Sequence, residues 1–262
     1  MNSGVVSAFE DFIDRLRAWA EAEPDVIGFV GMGSTADRRR VDEWSDHDFA
    51  IVTVPGAQER FRTDLTWLPD HGRLVAVGRE HHDGFKALYD DGHVLEFAVV
   101  DESELRTFSA NASEVFWDGG QVRQWMREVT TATVPRIHTS GAAAAAVFLV
   151  QLLVGVGRTR RGELLSGAHV IREEAEGTLI DLITERVPAS AATRDNLDAR
   201  RRFEQSYPRE AHRIAAALAA DPETAARTML DLADDLLAPG WPDYPAAGSA
   251  AVRRRLGWLD RP

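Results

Sequence analysis

The chain has 262 residues, no cysteine and a formal net charge of −12, and 44% of its residues are hydrophobic. That length holds one large domain or two modest ones, and the lack of cysteine excludes disulfides and thiolate metal sites. The charge is uneven: residues 1–135 carry 13 basic and 25 acidic side chains, while residues 136–262 carry 17 of each. An acidic half disfavours nucleic-acid phosphates and favours cationic small molecules.

In chain order, residues 5–22 place Phe9, Phe12, Ile13, Leu16 and Trp19 at helical spacing, a helix with one buried stripe that Pro24 ends. Two apolar runs, 26–30 and 49–54, read as strands. Between them lie Gly31, Gly33 and Ser34, a loop with the basic run 38–40, and then Asp46, His47 and Asp48. Side chains alternate along a strand, so Asp46 and Asp48 are expected on one face and His47 on the other. Two carboxylates on one side of a strand repel unless a cation neutralises them, and oxygen ligands of this kind suit Mg²⁺. Glycine lets the backbone approach a ligand closely, and a serine hydroxyl beside it binds phosphate oxygens. The stretch reads as a site for a nucleoside triphosphate and its metal.

Further on, residues 57–67 read as a short helix, and 74–77, 85–89 and 94–100 as strands, the last two joined by a turn at Asp90, Asp91 and Gly92. Glu96 interrupts the apolar run 94–100, and a carboxylate there needs a reason. Asp101 reads as the N-cap of another helix. Residues 114–125 fit no period. Their Phe116, Trp117 and Trp125 suit either a loop stacking on a flat ligand or packing against a second domain, and the second is preferred. His81 and His82, adjacent on the chain, would point to opposite faces of a strand, so a surface turn is expected there rather than zinc.

Val134–Pro135 marks the expected boundary, because the residue before proline is biased to extended structure. Beyond it the pattern is helical: 140–156, apolar nearly all round; a segment with Leu164, Leu165, Ala168, Ile171, Ala175, Leu179 and Leu182 as its buried stripe; 212–220; 225–237; and a last helix near 250–259. The N-terminus lacks a basic region followed by an apolar core, and the longest apolar stretch is short for a bilayer, so a cytoplasmic location with no membrane contact is expected.

The Gly33-Ser34 turn, the Asp46-x-Asp48 strand and Glu96 on a later strand together resemble the nucleotidyltransferase superfamily that includes DNA polymerase β and the enzymes that adenylylate aminoglycosides and lincosamides. Arg161-Gly-Glu-Leu-Leu165 is similar to the start of a helix in the C-terminal domains of the antibiotic-modifying members. The resemblance implies an α/β nucleotidyltransferase domain at 1–135, a small mixed sheet with helices, followed by an α-helical bundle at 136–262. It implies Asp46, Asp48 and Glu96 as catalytic carboxylates and Mg²⁺ ligands, with Glu96 as general base or as further ligand. Gly33 and Ser34 would hold ATP phosphates. Arg161, Arg201 and Arg202 are candidates to neutralise them.

The expected reaction is transfer of AMP from ATP to a hydroxyl of a small, cationic, aminoglycoside-like antibiotic. Two other readings compete. One is a nucleotide-binding or interaction module without catalysis. The other is an adenylylator of a macromolecule, for which the acidic balance makes nucleic acid a poor partner.

Overall fold

The computed structural model describes residues 3–135, 140–191 and 195–258. It divides into two compact units, Met1–Val134 and Pro135–Pro262.

The first unit is built on a six-stranded mixed sheet of order β3-β4-β5-β2-β1-β6. Its strands are β1 (Val26–Met32), β2 (His47–Thr53), β3 (Leu74–Arg79), β4 (Gly84–Tyr89), β5 (Val94–Val100) and β6 (Ser113–Asp118). Only β2 and β5 run parallel; the other pairings are antiparallel. The parallel pair forms because the chain leaves β2, crosses through α3 (Gln58–Thr63) and the β3–β4 hairpin, and re-enters beside β2 in the same direction.

The alternation of side chains gives this sheet two different faces. On one, α1 (Ser3–Ala22) brings Phe9, Phe12, Ile13 and Leu16 onto Phe29, Phe49, Ile51, Leu95 and Phe97. On the other, α5 (Val122–Ala132) brings Val122, Trp125, Met126 and Val129 onto Val30, Ala50, Val52 and Val100. Asp101 does cap a helix, α4 (Glu102–Leu105): its carboxylate accepts from Glu104 N–H while Glu104 returns a bond to the Asp101 N–H.

Residues 114–125 are mostly regular structure rather than a loop. They are the edge strand β6 and the start of α5, and their rings pack within the first unit. Phe116 lies 4.9 Å from the Phe29 ring centroid, and Trp125 is buried under the sheet. Residues 57–67 make a shorter helix than expected, since Asp64 leaves helical geometry after α3. The His81–His82 segment is a turn.

The second unit is helical: α6 (Gly141–Arg160), α7 (Leu164–His169), a π-helical turn (Val170–Ala175), α8 (Glu176–Arg186), α9 (Phe203–Ser206), α10 (Pro208–Leu218), α11 (Pro222–Leu237) and α12 (Ala246–Leu256). Leu259, the expected end of the last helix, lies outside the described residues. Helix α6 is long and apolar enough to cross a membrane by length and composition. Its Ala144, Ala145, Phe148, Leu149, Leu152 and Val156 are buried in the core of this unit, as a central bundle helix requires.

The buried stripe after α6 departs from expectation. Leu164 and Leu165 are exposed, Leu165 by 90%, and burial begins at Gly167 and Val170. A π turn inserts an extra residue and rotates the helix, so the stripe read at a constant 3.6-residue period fails upstream of it. Gly167 is required there. A Cβ would stand 2.8 Å from the Gly155 carbonyl oxygen, so the backbones of α6 and α7 touch.

Candidate active site

The site is assembled at the point where β1 ends and β2 begins. Strand β1 closes at Met32, and Gly33 takes a positive φ of 54°, turning the chain into the single helical turn α2 (Gly33–Ala36). A Cβ on Gly33 would lie 3.1 Å from Asp48 Oδ2, so this glycine also leaves room for the carboxylate. The turn is tied to the acidic segment by two hydroxyls. Ser34 Oγ donates to the Asp46 carbonyl at 3.5 Å, at the long end of a hydrogen bond. The Asp48 backbone N–H donates to Thr35 Oγ1 at 2.9 Å.

Thr35 is fully buried, and sequence reasoning missed it. Its position directly after Gly-Ser was the available signal: a hydroxyl residue in a turn bonds nearby backbone, and here it fixes the start of β2.

Asp48 is a strand residue. Asp46 stands two residues ahead of it, before β2 begins, so strand alternation fixes the direction of Asp48 and not that of Asp46. The parallel pairing of β2 with β5 puts Asp48 directly opposite Glu96. The antiparallel pairing of β5 with β4 puts Glu96 opposite Lys86. Lys86 Nζ donates to Glu96 Oε1 at 2.7 Å. Asp48, Glu96 and Lys86 thus form a row across three adjacent strands on one face, with Leu88 and Val94 exposed next to it.

Carboxylate oxygens suit a hard dication, and Asp46 and Asp48 stand two residues apart, with the side-chain-free Gly33 leaving room beside Asp48 Oδ2. Among the described residues, no three His, Asp or Glu side chains converge as a group able to hold one metal ion, so Glu96 is not drawn together with both aspartates.

His47, between the aspartates, is buried on the opposite face. Its ring stacks on Phe9 at 3.8 Å between centroids. His47 Nε2 lies 3.0 Å from the Phe9 carbonyl, which only accepts, so Nε2 carries the proton. Nδ1 is then left to accept from His93 Nε2 at 2.7 Å. Burial pushes His47 down to about 3 against the favourable pull of the Phe9 carbonyl, with His93 and Arg38 adding to the fall. Burial also lowers His93. Both rings are therefore neutral at pH 7.

A groove of about 740 Å³ opens beside this histidine pair. Phe12, Tyr89 and Trp44 line it, the last 86% exposed, and Asp11, Asp42, Glu43 and Asp46 contribute negative charge.

The basic loop is largely engaged by its own surroundings. Arg38 binds Glu10 and the Thr35 carbonyl, and Arg39 pairs with Asp37. Arg40 Nη1 reaches the Gly33 carbonyl at 3.4 Å. In the second unit, Arg161 pairs with Glu163 at 2.9 Å, and Arg202 binds the buried Asp195 at 2.7 Å from a left-handed backbone. Arg201 bonds through its backbone to the Asp198 carbonyl.

No protein-family model matches the chain, and no curated protein matches it. Solved structures do match. One is an aminoglycoside 6-adenyltransferase from Bacillus subtilis, 12% identical over 94% of this chain and 97% of that one, with a TM-score of 0.35. A likeness this loose carries no argument about fold or reaction.

Proposed function

We propose that the chain is a Mg²⁺-dependent nucleotidyltransferase that moves AMP from ATP to a hydroxyl of a small cationic acceptor, of the aminoglycoside kind, in a cytoplasmic setting. The observation that carries the reading is the register of β2 on β5. It sets Asp48 opposite Glu96, while the Gly33 turn lies against Asp48 Oδ2. With the Gly33-Ser34 and Asp46-x-Asp48 motifs, this supports a metal at the start of β2 beside a backbone turn suited to phosphates.

In this reading Asp46 and Asp48 hold Mg²⁺. When bound, the metal would offset the charge that develops on the leaving pyrophosphate. Ser34 and the backbone N–H groups after Gly33 bind the phosphates. Thr35 keeps Asp48 in place through its backbone. Glu96 accepts the proton of the attacking hydroxyl, a role that requires hydrogen-bond reach of that hydroxyl. The charge excess of the first 135 residues favours an acceptor with ammonium groups.

The test is incubation of the protein with Mg²⁺, each of the four ribonucleoside triphosphates and a panel of hydroxylated antibiotics, with mass spectrometry of the products. The expected result is a mass gain of one AMP on an aminoglycoside. Unchanged acceptors with every nucleotide would remove the reading.

A further inference from the structure

Lys86 is the only lysine in a chain whose other strongly basic side chains are all arginine. It sits opposite Glu96, which sits opposite Asp48. Neighbouring strands are about 4.8 Å apart, so the row spans roughly 10 Å from Lys86 to Asp48, with Glu96 in the middle. Glu96 therefore has a cation partner on one side and a carboxylate on the other.

The side it has taken is clear from the contacts. Glu96 Oε1 accepts from Lys86 Nζ at 2.7 Å, both side chains about half exposed. Among the described residues, no three acidic or imidazole side chains gather as one metal-holding group. A dication coordinated by a carboxylate that already holds an ammonium would meet like-charge repulsion at short range. The ammonium and a bound metal would thus compete for Glu96, and Lys86 is already in hydrogen-bond contact with it.

Resting on the nucleotidyltransferase reading, we infer that Lys86 is a positioning residue that keeps Glu96 out of the metal's ligand set and holds it for the acceptor hydroxyl. The metal is left to Asp46 and Asp48. Glu96 Oε2, the oxygen that Lys86 does not engage, takes the hydroxyl proton. The acceptor oxygen meanwhile bonds to the α-phosphorus, and the bond from that phosphorus to the pyrophosphate oxygen breaks, with its electron pair leaving on pyrophosphate. In this division of labour the two aspartates handle the metal and the lysine-bound glutamate handles the proton.

The prediction is specific to competition. Removing the ammonium frees Glu96 to join the aspartates, so a Lys86 variant without charge should bind metal more tightly. A lysine acting only as a nearby positive charge would tighten binding in the Lys86→Met, Glu96→Gln double variant as much as in Lys86→Met.

The experiment is titration of the wild type and five variants with Mn²⁺ alone, followed by water-proton relaxation, with thermal unfolding to confirm that each is folded. Asp48→Asn should weaken Mn²⁺ binding at least tenfold, and Glu96→Gln should change it by less than twofold. Lys86→Met should tighten it at least threefold. Lys86→Arg should resemble the wild type, and the Lys86→Met, Glu96→Gln double variant should return to the wild-type value. Glu96→Gln weakening binding as much as Asp48→Asn, or Lys86→Met failing to tighten it, would overturn the assignment while leaving the metal site and the parent reading in place. No effect of Asp48→Asn would instead remove the metal site itself, and the inference with it.

Discussion

Strand β2 separates two environments within one residue of each other. His47 faces α1, where it is buried, uncharged and stacked on Phe9. Asp48 faces the other way, beside Glu96 and the Gly33 turn, where the neighbouring Leu88 and Val94 are exposed. At this end of β2 one face is built like a protein interior and holds its polar groups by matched hydrogen bonds, while the other presents charge on the sheet; farther along, Ala50 and Val52 on that second face are buried under α5. The difference teaches that the His47 side should serve stability and the Asp48 side should serve chemistry, although the two residues are adjacent in sequence.

The sharpest way to break this comparison is to exchange the consequences. Asp48→Asn is expected to lower kcat for nucleotidyl transfer by on the order of 10³-fold, because the metal loses a charged ligand. Its thermal unfolding should stay at or slightly above the wild type, since a repelling carboxylate has been neutralised. His47→Gln is expected to do the reverse, costing about 2–4 kcal/mol in denaturant unfolding through lost ring packing and hydrogen bonding. Its activity per folded molecule should change by less than about threefold. A destabilised Asp48→Asn, or an inactive but stable His47→Gln, would erase the distinction between the faces.

Acid sharpens the same contrast. The folded pKa of His47, about 3, lies below its ordinary value of 6.5. Between those values the unfolded chain binds a proton that the folded chain refuses. Stability is therefore complete above pH 6.5 and falls as pH drops toward 3, by at most about 1.4 kcal/mol per pH unit from this residue. His93, also lowered, acts in the same direction. Urea unfolding between pH 8 and pH 4 should show this slope, and His47→Gln should flatten it. An equal slope in the variant would locate the acid sensitivity elsewhere.

Thr35→Val tests the link between the turn and the strand. The substitution keeps the side chain's volume but leaves the Asp48 N–H without its 2.9 Å acceptor. The expected cost is about 1–3 kcal/mol, together with a reduced kcat from a less fixed Asp48. Unchanged stability in calorimetry would mean that the bond is dispensable.

The smallest effect concerns the acceptor. If the acidic first half attracts it, its KM should rise severalfold between low salt and about 0.15 M, where the Debye length is roughly 8 Å. The KM for nucleotide should respond less. A salt-independent acceptor KM would leave the charge excess without a role in recognition.

Much of this site was legible in the sequence because its parts are local. Gly33, Ser34, Asp46 and Asp48 lie within one turn and one strand start, and His47 pointing inward follows from alternation alone. The apolar runs that became β1, β2 and β5 carried their own signal. What was not legible depends on pairing between distant segments. The sequence of β6 has aromatic residues that suit a ligand, an interface or a core equally, and only its pairing with β1 decides. Lys86 was overlooked for a similar reason, although counting back from the turn at Asp90, Asp91 and Gly92 would have set it opposite Glu96. In the helical unit, Leu164 and Leu165 were misplaced because a π turn has no periodic signature.

The central claim is that this face of the sheet transfers a nucleotidyl group, and the fate of the ATP phosphates tests it most directly. The protein is incubated with Mg²⁺, a cationic aminoglycoside and ATP labelled at either the α- or the γ-phosphorus, and the products are separated. The account predicts that the α-label moves onto the acceptor and the γ-label leaves as pyrophosphate, both in the wild type and neither in Asp48→Asn. A γ-label on the acceptor, or its release as orthophosphate with the acceptor unmodified, would contradict it.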